Sequence, residues 1–309
     1  MRLFGEKGRV WKGWKCMGIE RKDRESEKLK RKGGIPVLQR HRKGETEYLV
    51  FPGLEGTGMV RHLFSTRIGG VSRGIYASMN LSYSRGDERE AVDENFRRIA
   101  AVFDSTPDHI VCSDQTHTTN IRRVTSGDAG KGVTREKDYT DVDGLITDEP
   151  GLILATFYAD CVPIFLADPD KRAIGLFHSG WKGTAGRMGE RAIIAMREAF
   201  GTHPEHVKAA IGPSICQDCY EVGNEVASVF AGLFGSDSHL ILKPGKEEGK
   251  YQLSLWEANR RILLEAGVLP ENLEVTDLCT CCNSGYLFSH RASRGRRGNL
   301  GAFMELIKS

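Results

Sequence analysis

Short apolar and β-branched runs at residues 152–158, 162–167 and 173–177 follow one another closely, with turn residues such as Asp168-Pro169-Asp170 between them. Runs of this length bounded by turn signals predict buried strands. Residues 61–65 (RHLFS) read as a strand running into Thr66-Arg67-Ile68-Gly69-Gly70-Val71-Ser72, where adjacent glycines mark a tight loop. Val92, Phe96, Ile99 and Val102-Phe103 recur at helical spacing, so residues 87–103 form a helix. Residues 109–113 and 119–124 are short strands flanking Asp114-Gln115-Thr116-His117. After Gly183-Thr184-Ala185-Gly186 a helix presents Met188, Ala192, Ile193, Met196 and Phe200 on one face. A strand at 207–211 and helices at 223–234 and 253–266 complete the pattern. Strands are grouped rather than alternating strictly with helices, which predicts an α+β fold with mixed sheets.

Charge is unevenly distributed. Residues 1–34 hold twelve Lys/Arg against five Asp/Glu, a charge of +7, so with +3 overall the remainder carries −4. This basic stretch lacks apolar periodicity and reads as an extension, disordered or loosely docked, with Trp11 and Trp14 able to pin it. Residues 35–309 then form one domain. Its mildly acidic body argues against nucleic-acid binding. No run approaches the ~18 apolar residues of a membrane span, and the N-terminus lacks a secretory h-region. The expected location is cytoplasmic, where the eight cysteines are thiols or metal ligands before disulfides.

His117, Cys161 and His178 each stand at a strand end beside turn or polar residues, where a scaffold holds side chains firmly and leaves one side open. Two imidazoles and a thiolate suit Zn²⁺ and leave a fourth position for water or substrate, while the sulfur ligand also admits copper. Taken singly, a cysteine after a strand is a small buried hydrophobe and a histidine a satisfied polar residue. The wide spacing of the three does not decide between these readings.

The string Asp143-Gly144-Leu145-Ile146-Thr147, Ala159-Asp160-Cys161-Val162-Pro163 and His178-Ser179-Gly180-Trp181-Lys182-Gly183-Thr184 closely resembles the laccase-domain (YfiH-like) family. Ile211-Gly212-Pro213-Ser214-Ile215, Cys219-Tyr220-Glu221-Val222-Gly223 and Phe288-Ser289-His290-Arg291 extend the resemblance, which runs from about Val37 to the C-terminus. Once called multicopper polyphenol oxidases, such proteins are read as purine nucleoside phosphorylases. The resemblance implies a layered α/β/β/α sandwich and a metal and catalytic cluster at His117, Cys161 and His178. It implies phosphorolysis of adenosine, inosine and S-methyl-5'-thioadenosine with inorganic phosphate, and adenosine deamination. Within that frame Asp160 is the expected acid/base near purine C6. Arg67 is the leading phosphate ligand, followed by Arg291 and Lys182. Asn80 either touches the nucleoside or closes a turn on its own backbone.

The sequence departs from the family pattern at Lys182, where Arg is usual, at Ser179 and Thr118, and at Arg297-Gly298-Asn299, where Gly-Arg is common. None of these touches the three expected ligands. His203-Pro204-Glu205 with Pro213 and Cys216-x-x-Cys219 superficially imitates a zinc deaminase signature, but the separation is too short and Pro213 is not adjacent to Cys216. Cys216, Cys219, Cys279, Cys281 and Cys282 read as thiols in a polar core, with a structural four-cysteine zinc site as the other option if the two groups meet. Trp181 and Trp256 read as packing residues. Two other functions stay open: a cysteine hydrolase with Cys161 as nucleophile, with peptidoglycan-precursor editing as one such role, and a copper-dependent polyphenol oxidase. The oxidase is disfavoured, because nine histidines without a His-x-His pair are too few for an oxygen-reducing copper cluster.

Overall fold

The computed structural model describes residues 29–33 and 37–308, so the expectations for Trp11, Trp14 and Cys16 lie outside the described residues. Two six-stranded sheets lie face to face. The first runs, in spatial order, β1 (Gln39–Lys43), β2 (Thr46–Val50), β3 (Val60–Ser65), β15 (Leu300–Leu306), β7 (Ile153–Tyr158) and β4 (Ile110–Cys112). The second runs β14 (Leu273–Val275), β10 (Lys208–Ile211), β8 (Val162–Asp168), β9 (Ala173–Ser179), β6 (Gly144–Thr147) and β5 (Ile121–Arg123). Both sheets are mixed: β4 with β7, β5 with β6 and β10 with β14 are parallel pairs among antiparallel ones.

Side-chain alternation explains the layers. On β8, Phe165 and Ala167 face the first sheet, while Val162, Ile164 and Leu166 face outward onto helices. On β7, Leu154 points between the sheets, and Ile153 and Ala155 point to the opposite side. Helix α1 (Pro52–Glu55) is a single turn ahead of β3, and α2 (Arg89–Val102) covers that side with Val92, Phe96 and Ile99. Helices α4 (Met188–Phe200), α5 (Asn224–Phe234) and α6 (Leu255–Glu265) cover the second sheet. The result is the α/β/β/α sandwich. Because both faces of β7, β8 and β9 are buried, these strands are continuous apolar runs.

A three-stranded sheet, β11 (Glu221–Gly223), β13 (Lys250–Leu253) and β12 (Leu242–Pro244), lies beside α5. The β1–β2 hairpin, β6, these three short strands, β14 and β15 are additional to the sequence expectation. So is the short helix α3 (Trp181–Ala185) ahead of α4. Among the described residues no helix is long and apolar enough to cross a membrane.

Of the expected extension 1–34, only residues 29–33 are described. Arg31 bridges the Leu278 backbone, and its guanidinium pairs with the buried Asp277 at 2.5 Å. Lys30 exchanges two hydrogen bonds with the Asn283 side chain, at 2.8 and 3.0 Å. Residues 29–33 are thus docked on the body through specific polar contacts.

The inter-sheet layer should be the main source of stability. Phe165 is fully buried there, in edge-to-face contact with Phe51 and His62. Phe165→Ala is expected to cost about 3–5 kcal/mol, read as a lower denaturant midpoint at an unchanged slope.

Candidate metal and nucleoside site

The site begins with Asp143, a fully buried residue at the start of β6. Its backbone carbonyl accepts from His178 N at 2.8 Å, so antiparallel pairing sets the two residues side by side. Its carboxylate accepts from the backbone N–H groups of Thr116 (3.0 Å), His117 (3.2 Å) and Thr118 (2.9 Å), and from the Thr118 hydroxyl (3.0 Å). Those bonds fold the loop after β4 so that His117 takes a left-handed φ of 69°. The same carboxylate accepts from His178 Nδ1 at 2.7 Å. An ionised carboxylate only accepts, which fixes the proton on Nδ1 and turns Nε2 of His178 toward the cluster. Burial pushes the Asp143 carboxyl up, but His178 and the backbone donors more than offset this and hold it below its usual range.

Cys161 enters from the opposite side, just before β8. Asp160, at φ 91°, turns the chain into it. The ligand atoms of His117, Cys161 and His178 all lie within 4.8 Å of one another, and the two imidazoles stand 5.0 Å apart at 82°. Burial raises the Cys161 thiol, yet His178 and His117 bring it down to about 6. Burial lowers His178, while Cys161 and Asp143 bring it up to about 9. The cluster therefore favours the thiolate, the form in which cysteine binds metal or attacks carbon.

The residues fit a three-ligand metal site with an open position. Gly180 backs the cluster, and a Cβ there would approach Cys161 Sγ to 3.0 Å, His117 Cδ2 to 3.3 Å and His178 Cε1 to 3.7 Å. Only glycine leaves that space clear. The donor set of two imidazoles and one thiolate is one that Zn²⁺ accepts, and copper shares it.

The cluster lies in a cleft of about 460 Å³, a size suited to a small ligand. Tyr83, Phe157 and Tyr158 give it aromatic walls, and Arg85, Lys137 and Arg297 supply cations. Lys137 is neutralised by Asp114. Arg297 is only 8% exposed, yet its Nε has no hydrogen-bond partner among the described residues. Burial, then the neighbouring charge of Arg85, lowers the Arg297 guanidinium to about 10.

The other expected residues are held elsewhere, and none lines this cleft. Asp160 Oδ1 accepts from the Thr280 hydroxyl at 2.6 Å and Oδ2 from Arg291 N at 2.7 Å. Both oxygens are thereby engaged in anchoring the turn before Cys161. Arg67 donates to the Ala77 and Ser284 carbonyls and stacks 4.5 Å from the Phe288 ring, bracing its own loop. Asn80 is fully buried, bonding Ser82 O, Asp87 and Asn299 N. Lys182 is exposed over Trp181, and Arg291 donates to the Cys219 and Glu221 carbonyls. His203 is an exposed residue at the start of a short turn. Trp181 and Trp256 pack on the second sheet's core, and Trp256 Nε1 donates to Ser214. Asp143, Arg85 and Arg297 were not foreseen as site residues. Two of them stand inside quoted motifs or departures, but only the fold reveals their partners.

The family model described as multi-copper polyphenol oxidoreductase laccase matches residues 61–307. Purine nucleoside phosphorylase YlmD of Geobacillus stearothermophilus is 38% identical over 246 residues, 78% of this chain and 88% of that protein. Adenosine deaminase RL5, from an unknown prokaryotic organism, is 31% identical over 74% of this chain and 87% of its own length. The crystal structure of the hypothetical protein YfiH of Bacillus licheniformis superposes with a TM-score of 0.81 at 32% identity, covering 87% of this chain and 99% of that one.

If Asp143 orients two ligands at once, Asp143→Asn should weaken Zn²⁺ binding at the cluster about 10–100-fold. Competition with a chromophoric chelator measures this. Unchanged affinity in the variant would show that the carboxylate serves the loop alone.

Proposed function

Since this chain belongs to the multi-copper polyphenol oxidoreductase laccase family, we propose that it is a metal-dependent purine nucleoside phosphorylase. Its substrates are adenosine, inosine and S-methyl-5'-thioadenosine with inorganic phosphate, and it also deaminates adenosine. The observation that carries this reading is the His117–Cys161–His178 cluster, set in an aromatic-walled cleft together with Arg85 and Arg297, which pair with no carboxylate among the described residues. The names of its relatives, purine nucleoside phosphorylase and adenosine deaminase, agree with it.

His117, Cys161 and His178 would hold the metal, with Zn²⁺ preferred and Cu²⁺ admissible. Bound there, it would supply Lewis acidity. Tyr83, Phe157 and Tyr158 offer apolar surface to a purine. In phosphorolysis a phosphate oxygen bonds to C1' while the C1'–N9 bond breaks, giving sugar 1-phosphate and free base. The phosphate needs cations at its oxygens. Arg297 and Arg85 fill that role in place of Arg67, because they face the cleft and, among the described residues, neither pairs with a carboxylate. Their mutual repulsion is relieved by an anion between them.

One observation favours the cysteine hydrolase as a second reading. Asp143, His178 and Cys161 follow one another as carboxylate, imidazole and thiolate, the order of a nucleophilic triad. The oxidase reading loses ground. Among the described residues, the other group of potential ligands is four cysteines without a histidine, which cannot build an oxygen-reducing copper cluster.

A chromatographic assay of zinc-loaded protein with adenosine and inosine, with and without phosphate, separates the two. Phosphate-dependent hypoxanthine or adenine, abolished in Cys161→Ala, is the expected result. A folded, metal-loaded sample that turns over no nucleoside would overturn the reading. Activity on another substrate that survives metal removal but not thiol alkylation would favour the hydrolase. For the phosphate subsite, Arg297→Ala is expected to raise KM for phosphate about 10–100-fold, corresponding to loss of a charge-assisted hydrogen bond, with a smaller effect on KM for the nucleoside.

A further inference from the structure

Four of the remaining cysteines converge outside the cleft lining. Cys216 and Cys219 bracket a short turn at Gln217–Cys219, after β10, and Cys279 and Cys282 lie in the loop after β14. All four sulfurs lie within 4.8 Å of one another, with Cys219 and Cys282 at 3.5 Å and Cys216 and Cys282 at 4.0 Å. Cys281, between the paired residues, is not a member of the group. We propose that Cys216, Cys219, Cys279 and Cys282 form a second metal site, a closed tetrahedral thiolate site for a structural Zn²⁺ ion.

Geometry, backbone bonding and charge each support the assignment. Two Cys-x-x-Cys pairs, each on a tight turn, are the arrangement by which short loops present four thiolates to one ion. With Zn–S bonds of about 2.3 Å, tetrahedral geometry puts the sulfurs about 3.8 Å apart. The two measured separations bracket that value. A disulfide would need about 2.05 Å, and an iron–sulfur cluster, larger than one ion, would hold its thiolates farther apart. The backbone N–H groups of Cys216 and Cys282 donate to Cys279 Sγ at 3.3 and 3.4 Å. Such bonds stabilise negative charge on sulfur. Four thiolates around a divalent ion leave a net charge of −2, and the Lys32 ammonium, held by Asp218 of the Cys216–Cys219 turn at 2.8 Å, interacts electrostatically with Cys216 and Cys282. The docked segment 29–33 therefore brings a cation to the rim of this group. With four protein ligands and no open position, the site suits structure rather than chemistry.

Its position gives the site a consequence for the cleft. The two cysteine-bearing loops are already bridged at Ser214 and Cys279. One loop supplies Ile215 N to the Asp160 carbonyl at 3.0 Å, and the other supplies Thr280 to the Asp160 carboxylate at 2.6 Å. Knotting the loops together fixes Asp160, and through it the turn that aims Cys161. The second metal acts as a positioning device for the first cluster, whatever reaction that cluster performs.

Metal counting tests this independently of activity. Full-length protein purified reduced and loaded with Zn²⁺ should contain two equivalents by mass spectrometry. Cys161→Ala should retain about one, and Cys279→Ser should also retain about one. X-ray absorption on the Cys161→Ala protein should find zinc surrounded by sulfur alone. Should Cys279→Ser fail to fold, the wild-type protein still decides. Its zinc should average about two and a half sulfurs, the mean of a four-sulfur and a one-sulfur site. Cys161→Ala protein without metal, a nitrogen- or oxygen-rich shell around its zinc, iron–sulfur absorption, or a disulfide among the four cysteines would each overturn the proposal.

Discussion

The buried carboxylate of Asp143 is the interaction on which the site depends. A fully buried charge is costly unless it is surrounded by donors, and this one accepts from three backbone amides, a hydroxyl and an imidazole. The same bonds join two distant pieces of chain. One is the loop that carries His117 in a left-handed conformation; the other is the end of β9 that carries His178. Removing the carboxylate would release the loop and free the His178 ring in one step, leaving buried donors unpaired. A neutral isostere keeps the shape but cannot accept from every donor as strongly, so loop fold and ligand orientation are energetically coupled.

The two sheets turn that coupling into a rigid site. β9 pairs with β6 on one side and β8 on the other, so Asp143, His178 and the start of β8 are fixed by consecutive ladders. Cys161 lies just outside the β8 ladder, and its aim depends on Asp160, a non-glycine residue at φ 91°. Such a conformation persists only when its surroundings over-determine it. Here Thr280, the Arg291 amide and the Ile215 amide all hold Asp160, each from a different part of the C-terminal third. The turn before Cys161 is thus secured from outside the sheets, while the histidines are secured from within.

What the sequence disclosed follows from how far each signal reaches. β7, β8 and β9 were legible because strands buried on both faces are near-continuous apolar runs, with polar residues mostly at their ends. Helix α2 was legible because its apolar stripe repeats at helical spacing. The hairpin strand β1, with the burial pattern of an edge and the sequence QRHRK, carries almost no apolar signal. β15 is buried throughout and apolar except for Glu305, but it follows a glycine- and arginine-rich stretch, and its partners β3 and β7 lie far back in the chain. In the site, the three cluster residues were marked by motif. The jobs of Asp143 and Asp160 were not, since each is defined by partners tens of residues away. For the five C-terminal cysteines, spacing allowed two outcomes, and only the fold brings the two pairs together.

The departure at Arg297-Gly298-Asn299 sets a guanidinium and an amide side by side in the cleft. Where the family commonly has Gly-Arg, this chain has Gly298-Asn299, with Arg297 just before them. Asn299 does not leave the cleft: its side-chain oxygen accepts from Arg297, and its backbone N–H donates to Asn80 at 2.9 Å. Asn80, expected at the nucleoside itself, is buried beneath this pair and also bonded to Asp87 at 2.9 Å. The chain of contacts runs from Asp87 through Asn80 and Asn299 to Arg297, so the polar residue below steers the cation above. A buried guanidinium with an unpartnered Nε beside a second arginine is costly in isolation. Among the described residues the fold leaves it at the wall of the cleft, where the phosphate proposed above would complete the missing interactions.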